Sequence, residues 1–476
     1  MILFFVRRFN DIDHTVPVVY RMAKDGYKDV AVLASNPRYD IKNDFRLNFL
    51  KNQYAVEVDH VYRYFMPTLI HKLTSWLICR PLNERTFGKY YYSNREKPKR
   101  NSVMPFRRFV DTVCKALSSL FTPERLFVIF DQCISKLGAA GRERKGFINR
   151  IIFERLFGIG WSIEMLRKKG VSLLVFDLSI PGRWNTSSLV NAGKRLKIPI
   201  IALPHGLNMT DSKLFENEIA MYGGLWNGYD AIIVQHMKHK MRAVEDGVVM
   251  EKLFVFGSAR FCREWEDVYF GIIPESGHYV KKSVHGKLKV VFMDHSSKYM
   301  ANVDDILETI KKIGSIDFVD LVVKPSTSSV RGSMTSGELY NVAKIDNITH
   351  SVELIRWADV VIGTISSISL EVLLMNKVFI YPKYFHNVRM MWETMEACWV
   401  VNNYTELEDA LYKIKRSPGY KQYKEDNVNK LVTETVYGGK GSRDVLGDYK
   451  DFIISFAEEK EALKAEDMLP VSPLCE

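Results

Sequence analysis

Residues 350–382 read HSVELIRWADVVIGTISSISLEVLLMNKVFIYP. Hydrophobic spacing divides them into a short helix (SVELIRWA), a buried strand (DVVIG), a Thr/Ser-rich turn, a second helix (SLEVLLMNK) and a second strand (VFIYP). The turn sets Thr364, Ser366, Ser367 and Ser369 around a helix N-terminus. Unpaired backbone N–H groups and the positive end of the helix dipole favour an anion there. Glu371 follows one turn inside the helix, within reach of a ribose diol beside that anion. A phosphate next to a diol describes a nucleotide. Ser is also a preferred N-cap, so the same residues read equally well as a plain helix cap.

Outward from this stretch, strand and helix keep alternating. The first 50 residues give strand ILFFVR, loop FNDIDHT, helix VPVVYRMAKDG and strand VAVLAS. That βαβ opening implies a parallel sheet with a right-handed crossover. From about 170 to 258 the alternation is unbroken: VSLLVFDL, SSLVNAGKRLK, IPIIALPHG, AIIVQ, HMKHKMRAVEDGV and LFVFG. A second alternating set starts at LKVVFMD and continues through NVDDILETIKKI, FVDLVVKP and NITH into 350–382. The expected fold class is α/β: two Rossmann-like domains facing a central cleft, with a helical basic insertion in the first. The expected boundaries are 1–262 for the first domain with its insertion at about 60–150, and 263–286 for a linker. The second domain then takes 287–440 and a charged helical tail 441–476. Ligands of such sheets sit beyond the carboxyl ends of the strands.

Composition narrows the class. The chain has 476 residues, 47% of them hydrophobic and 26% charged, as in globular proteins. Six scattered cysteines without a CxxC pair fit a reducing, cytoplasmic setting. No uncharged run reaches the roughly 18–20 residues of a spanning helix. The net charge of +11 is concentrated: Arg85, Lys89, Arg95, Lys97, Lys99, Arg100, Arg107 and Arg108 face one acid, Glu96, with Phe87, Tyr90, Tyr91, Tyr92 and Phe106 between them. The amphipathic stretch MPTLIHKLTSWLICRPL precedes them. Basic charge beside interfacial aromatics suits peripheral docking of 66–110 on an anionic membrane surface, and equally a solvated insertion loop. No RRM, KH, zinc-finger or helix-turn-helix signature accompanies it, so nucleic acid is not an expected partner.

The polar clusters all fall at expected strand ends. LPHGLNM puts His205 and Gly206 after strand IPIIA, where histidine can act as base, acid or phosphate donor and glycine lets backbone approach a ligand. Asp177 ends the preceding strand unit and could orient or deprotonate an acceptor hydroxyl, or attack a sugar carbon. His14, with Asp11 and Asp13, occupies the first βα loop, although Asp13 reads equally as an N-cap. In the second half FMDHSSKY places His295 and Ser296, and LVVKPSTSS places Lys324, where a diphosphate would meet a cation and hydroxyls. His236 and His239 (HMKH) have helical spacing without a third ligand and read as solvent-facing; no metal site is expected. Neither GxxxxGK[ST] nor GxGxxG occurs, which argues against a P-loop NTPase or an ordinary dehydrogenase.

Four pieces occur in fixed order: PHG, then VQHMKHKMRAVEDGVVMEKLFVFGSAR, then VVKP, then SVELIRWADVVIGTISSISLEVLLMNKVFIYP. This order resembles the GT-B superfamily of nucleotide-sugar transferases, above all the capsule and lipopolysaccharide Kdo-type transferases and the CDP-glycerol glycerophosphotransferases of bacterial surface polysaccharides. The likeness rests on Gly247, Val248, Lys252, Val255, Gly257, Ser258 and Ser366 to Glu371, and covers about residues 170–385. It implies a nucleotide-activated donor, possible without metal or cofactor, and a polysaccharide or lipid-linked acceptor. By the same resemblance Ser366, Ser367, Ser369 and Glu371 bind donor phosphate and ribose, His205 meets the reacting centre or phosphate, and Arg260 lines the cleft. Relatives often continue Lys-Pro-His-Pro where this chain reads KPST after Lys324. The implied activity is glycosyl transfer, with glycerophosphate transfer as the alternative. UDP-GlcNAc 2-epimerases share the architecture but carry an H-x-E-A-G-L-R type segment where this chain reads PHGLNM.

Overall fold

The apolar runs become strands buried along their whole length, as parallel strands covered on both faces must be. The computed structural model describes residues 1–7, 9–37, 39–79, 156–178, 186–207, 209–211, 226–274, 286–294, 302–325, 343–346 and 349–467. In the first half they give β1 (Ile2–Val6), β2 (Val30–Ala34), β3 (Glu57–His60), β4 (Leu173–Asp177), β5 (Ile200–Leu203), β6 (Ala231–Val234) and β7 (Leu253–Val255). These form one parallel sheet in the order β3-β2-β1-β4-β5-β6-β7. The second half gives β8 (Leu288–Met293), β9 (Val319–Lys324), β10 (Lys344–Ile345), β11 (Val360–Gly363), β12 (Val378–Pro382) and β13 (Trp399–Val401). Their parallel order is β10-β9-β8-β11-β12-β13. The expected pair of Rossmann-like sheets is therefore present. Each reverses strand order beside its first strand, and that is where a crevice opens at the carboxyl ends.

Several local expectations change. FNDIDHT is helical: the first helix runs Phe9–Lys24 and takes Asp11, Asp13 and His14 into its opening turns. Pro17 lies inside it, so the helix goes without one N–H bond there, and eleven buried side chains hold the segment instead. The linker expected from residue 263 begins as a helix, Arg263–Ile272. Its periodicity is carried by Trp265 and Tyr269, four residues apart and both buried. Trp265 packs on Tyr20 and Phe49, while Tyr269 clusters with Phe45 and His350. Pairing with β9 falls on Lys344 and Ile345, ahead of the expected strand NITH, whose first two residues lie outside the described residues, and His350 caps the helix Ser351–Trp357. His236 is buried and caps the helix Met237–Glu245, so the HMKH pair does not face solvent. Most of the expected insertion, with the basic run 85–108, lies outside the described residues. Among the described residues no helix is long and apolar enough to cross a membrane.

The last helix, Val445–Asp467, returns to the first sheet's side of the molecule. Arg21 pairs with Asp444 at 2.7 Å and Lys450 with Asp25 at 2.8 Å. Phe452 lies against Phe254 and Phe256, and Tyr449 Oη donates to the Gly257 carbonyl at 2.9 Å. Gly257 is where this return demands glycine. Its φ is +90°, and a Cβ there would stand 2.1 Å from the Val436 carbonyl oxygen, which already accepts from Ser258 N at 2.8 Å. Gly257→Ala is expected to destabilise the fold by more than the roughly 1–2 kcal/mol of a left-handed alanine alone. A chemical-denaturation midpoint matching the wild type would show that the 257–436 contact is not needed.

Candidate active site

Adjacency in the first sheet sets the site. β1, β4 and β5 are consecutive neighbours, so residues just past their carboxyl ends converge. β1 delivers Arg7 and, in the helix that follows, Asp11; β4 ends on Asp177; β5 is followed by Pro204, His205 and Gly206. Gly206 has φ +86°, which turns the chain sharply after the histidine. His205 Nδ1 lies 2.8 Å from the Asp177 carboxylate and 3.3 Å from Asp11 Oδ1. Arg7 closes the group: its backbone N–H donates to Asp11 Oδ2 at 2.8 Å, and its guanidinium stands 3.5 Å from both Asp11 and Asp177.

Burial disfavours a charged imidazole at His205, but hydrogen bonds and attraction from Asp11 and Asp177 outweigh it and raise the ring to about 10. Burial likewise opposes the Asp11 carboxylate, yet His205 and Arg7 hold it below the usual range. The group is thus an imidazolium seated on two carboxylates. The His205 side chain is 36% exposed while Asp11 and Asp177 are nearly inaccessible. With Nδ1 committed, Nε2–H is the donor left for the cleft. Among the described residues Asp11, Asp177 and His205 also offer atoms within 4.8 Å of one another, a spacing that could hold a metal ion. Arg7 and the His205 proton already supply countercharge to both carboxylates.

A second charged layer lies beside this one. Arg46 is fully buried, pairs with Asp13, reaches Asp44 Oδ2 at 2.6 Å, and stands 3.8 Å over the Phe9 ring. Asp44 in turn caps the helix Phe45–Tyr54 and accepts from Tyr39 Oη at 2.6 Å. Asp13 is so held that its other oxygen faces Arg260 at 3.2 Å. Arg260 then donates across to Glu371 Oε1 at 2.9 Å. One guanidinium therefore joins the first helix to the helix after β11. Burial pushes the Glu371 carboxyl up, and Arg260 pulls against that.

The turn after β11 holds Thr364, Ser366, Ser367 and Ser369 next to Glu371, as the sequence implied. Ser366 Oγ accepts from Ile368 N at 3.5 Å, whereas Ser367, at the cap position, makes no side-chain cap bond. Thr364 and Ser369 are fully buried and do not line an open surface. Several buried polar atoms here have no hydrogen-bond partner among the described residues: both ring nitrogens of His14, Glu371 Oε2, Arg260 Nε, and the hydroxyls of Ser258, Thr364 and Ser369. Unsatisfied buried groups cost about 1–3 kcal/mol each, so a cluster of them needs a cause. His14, 2% exposed, is kept neutral, pushed down to about 3 by burial and by the Arg260 and His205 cations.

The structure thus brings Asp177, His205, His14, Arg260 and Glu371 together, with the serine turn beside Glu371. Lys324 is held inside: that side chain is 2% exposed and its Nζ donates to the Thr349 carbonyl at 2.5 Å. A lysine ending a central strand is held here as a buried tie between loops. His295 and Ser296 lie outside the described residues. Sequence reasoning missed Arg7, whose signal was its i,i+4 spacing to Asp11, visible once 9–24 is read as helix. Arg46 left no signal, because nothing along the chain says that residues 13 and 46 meet.

No protein-family model matches the chain, and no curated protein matches it in sequence. Solved structures match in architecture. S. aureus MnaA, solved with UDP, superposes with a TM-score of 0.50 at 10% identity, covering 96% of each chain. UDP-N-acetylglucosamine 2-epimerase from Rickettsia bellii gives 0.51 at 10% identity, over 96% of this chain and 97% of that one. The UDP-GlcNAc 2-epimerase of Methanocaldococcus jannaschii gives 0.50 at 11% identity, over 96% and 99%. The chain has the two-sheet GT-B architecture these enzymes share.

Proposed function

We propose that the protein is a nucleotide-sugar-dependent glycosyltransferase whose donor lies between the His205 group and the Glu371 turn. The observation that carries this reading is the seating of the His205 ring on Asp11 and Asp177, which favours its charged form. Glycosyl transfer requires charge stabilisation where the nucleotide departs, and a preorganised cation in a partly dry cleft provides it. His205 would donate from Nε2 to the departing phosphate, and the serine turn with Glu371 would hold phosphate and ribose. Asp177, shared between His205 and Arg7, fits the role of orienting the imidazolium better than that of a nucleophile. His14, neutral and with no hydrogen-bond partner among the described residues, would meet uncharged hydroxyls of donor or acceptor. No step in this scheme is routed through a metal ion.

Epimerisation on the same fold is the second reading, favoured by the 2-epimerases among the matching structures. It needs a carboxylate free to take a sugar C–H proton. Asp11, Asp13, Asp177 and Glu371 are each paired with a cation instead, which supports transfer. Glycerophosphate transfer from a CDP donor would use the same leaving-group contacts, and product mass separates it. The acceptor in this proposal is a surface polysaccharide or lipid-linked glycan met at the inner face of a membrane through 66–110. In that segment Leu69 and Ile70 stand 72% and 56% exposed.

Calorimetry against UDP, CDP, CMP and GDP tests the reading, and binding of none of them would end it. Glu371→Gln should weaken the nucleotide that binds about tenfold, the worth of one charge-assisted hydrogen bond. His205→Gln should lower turnover by about 10²–10³-fold with binding largely kept, as for loss of an oxyanion-stabilising donor; an unchanged rate would remove His205 from the chemistry.

The His205 ring should titrate near 10 by NMR. Because the folded value is raised, its stabilising contribution is complete below the free value of 6.5 and fades as pH climbs through about 10. Asp177→Asn should bring the titration back towards 6.5. A wild-type midpoint already at 6.5 would refute the imidazolium.

A further inference from the structure

Four residues after His205 the chain reaches a segment that is stitched to the second half of the molecule. Thr210 forms an antiparallel bridge with Met390. Met391 N–H donates to the Met209 carbonyl at 2.8 Å, and Asp211 N–H donates to the Arg389 carbonyl at 2.7 Å. The Asp211 carboxylate then takes one contact from each half: Thr394 Oγ1 donates to it at 2.6 Å, and Lys238 pairs with it from the helix Met237–Glu245. From that same helix Arg242 donates to Thr210 Oγ1 at 3.0 Å. Segment 209–211 is thus a strap clamped on both sides. Behind it, Gln235 Nε2 donates to the Gly206 carbonyl at 2.6 Å, and Gly206 is the residue with φ +86°. His205 therefore stands four residues ahead of the strap, with Gly206 next to it tied to Gln235.

We propose that this strap couples movement of the nucleotide half to the placement of His205, and that Asp211 and Thr394 are positioning residues for it. The proposal rests on the reading of the cleft as a nucleotide site. β12, which leads into 389–394, is the direct neighbour of β11, which leads into the serine turn. A nucleotide settling on that turn therefore acts on the same rigid edge that holds the strap. Closure of the cleft would bring Nε2 of His205 to the phosphate only when nucleotide is present, sparing the donor from attack in an open site.

The test is the ring resonance of ¹³C-labelled His205, assigned by its loss in His205→Gln. It is followed while the full-length protein is titrated with whichever of UDP, CDP, CMP and GDP it binds. In the wild type the resonance should move on binding. In Thr394→Val and in Asp211→Asn that movement should be lost, while affinity changes by less than about threefold, since the altered groups lie apart from the nucleotide. Thr394→Ser, which keeps the hydroxyl, should restore it. Full movement in both variants overturns the strap and leaves the nucleotide site standing. Failure of every nucleotide to bind the wild type overturns both.

Discussion

A buried guanidinium sets the terms for this cleft. Arg260 holds Asp13 of the first half and Glu371 of the second within 3.2 and 2.9 Å. Charges are expensive inside a protein, and taking one partner from a buried pair costs about 3–5 kcal/mol. The two halves therefore meet where their carboxylates can share one cation. Everything near it follows: Asp13 is pinned from behind by Arg46, and Arg46 by Asp44 at a helix cap. The floor of the cleft is a chain of alternating charge tied to secondary structure at both ends.

That alternation leaves distinct chemistry at its two rims. On one rim a positive charge sits on an imidazole that can turn a donor N–H outward. On the other, Glu371 keeps an oxygen that has no partner among the described residues, beside hydroxyls of which the same holds. The proposed nucleotide-sugar donor, with anionic oxygens at one end and a diol at the other, would address both of these groups at once.

The fold was legible because both sheets are built from buried parallel strands, and an apolar run bounded by turn residues is hard to misread. Residues 350–382 fell where their pattern put them. Helix starts were less legible. FNDIDHT is polar enough to pass for a loop, and only Ile12, Val16 and Val19 sinking into the core reveal the helical face. Asp177 and His205 were legible as partners because their strands are neighbours in the sheet. The ties made by Arg46 and Lys324 were not, since each depends on a contact between segments far apart in sequence or on which way a buried side chain turns.

The return of helix Val445–Asp467 to the first sheet makes the order of assembly differ from the order of synthesis. Arg21 and Asp25 are made early, yet their partners Asp444 and Lys450 come more than four hundred residues later. Domains emerging from a ribosome generally fold as they appear. Here the first half stays unfinished, with Phe254 and Phe256 uncovered, until the second half has been made and has passed the chain back. The molecule is two domains in architecture and a single unit in maturation.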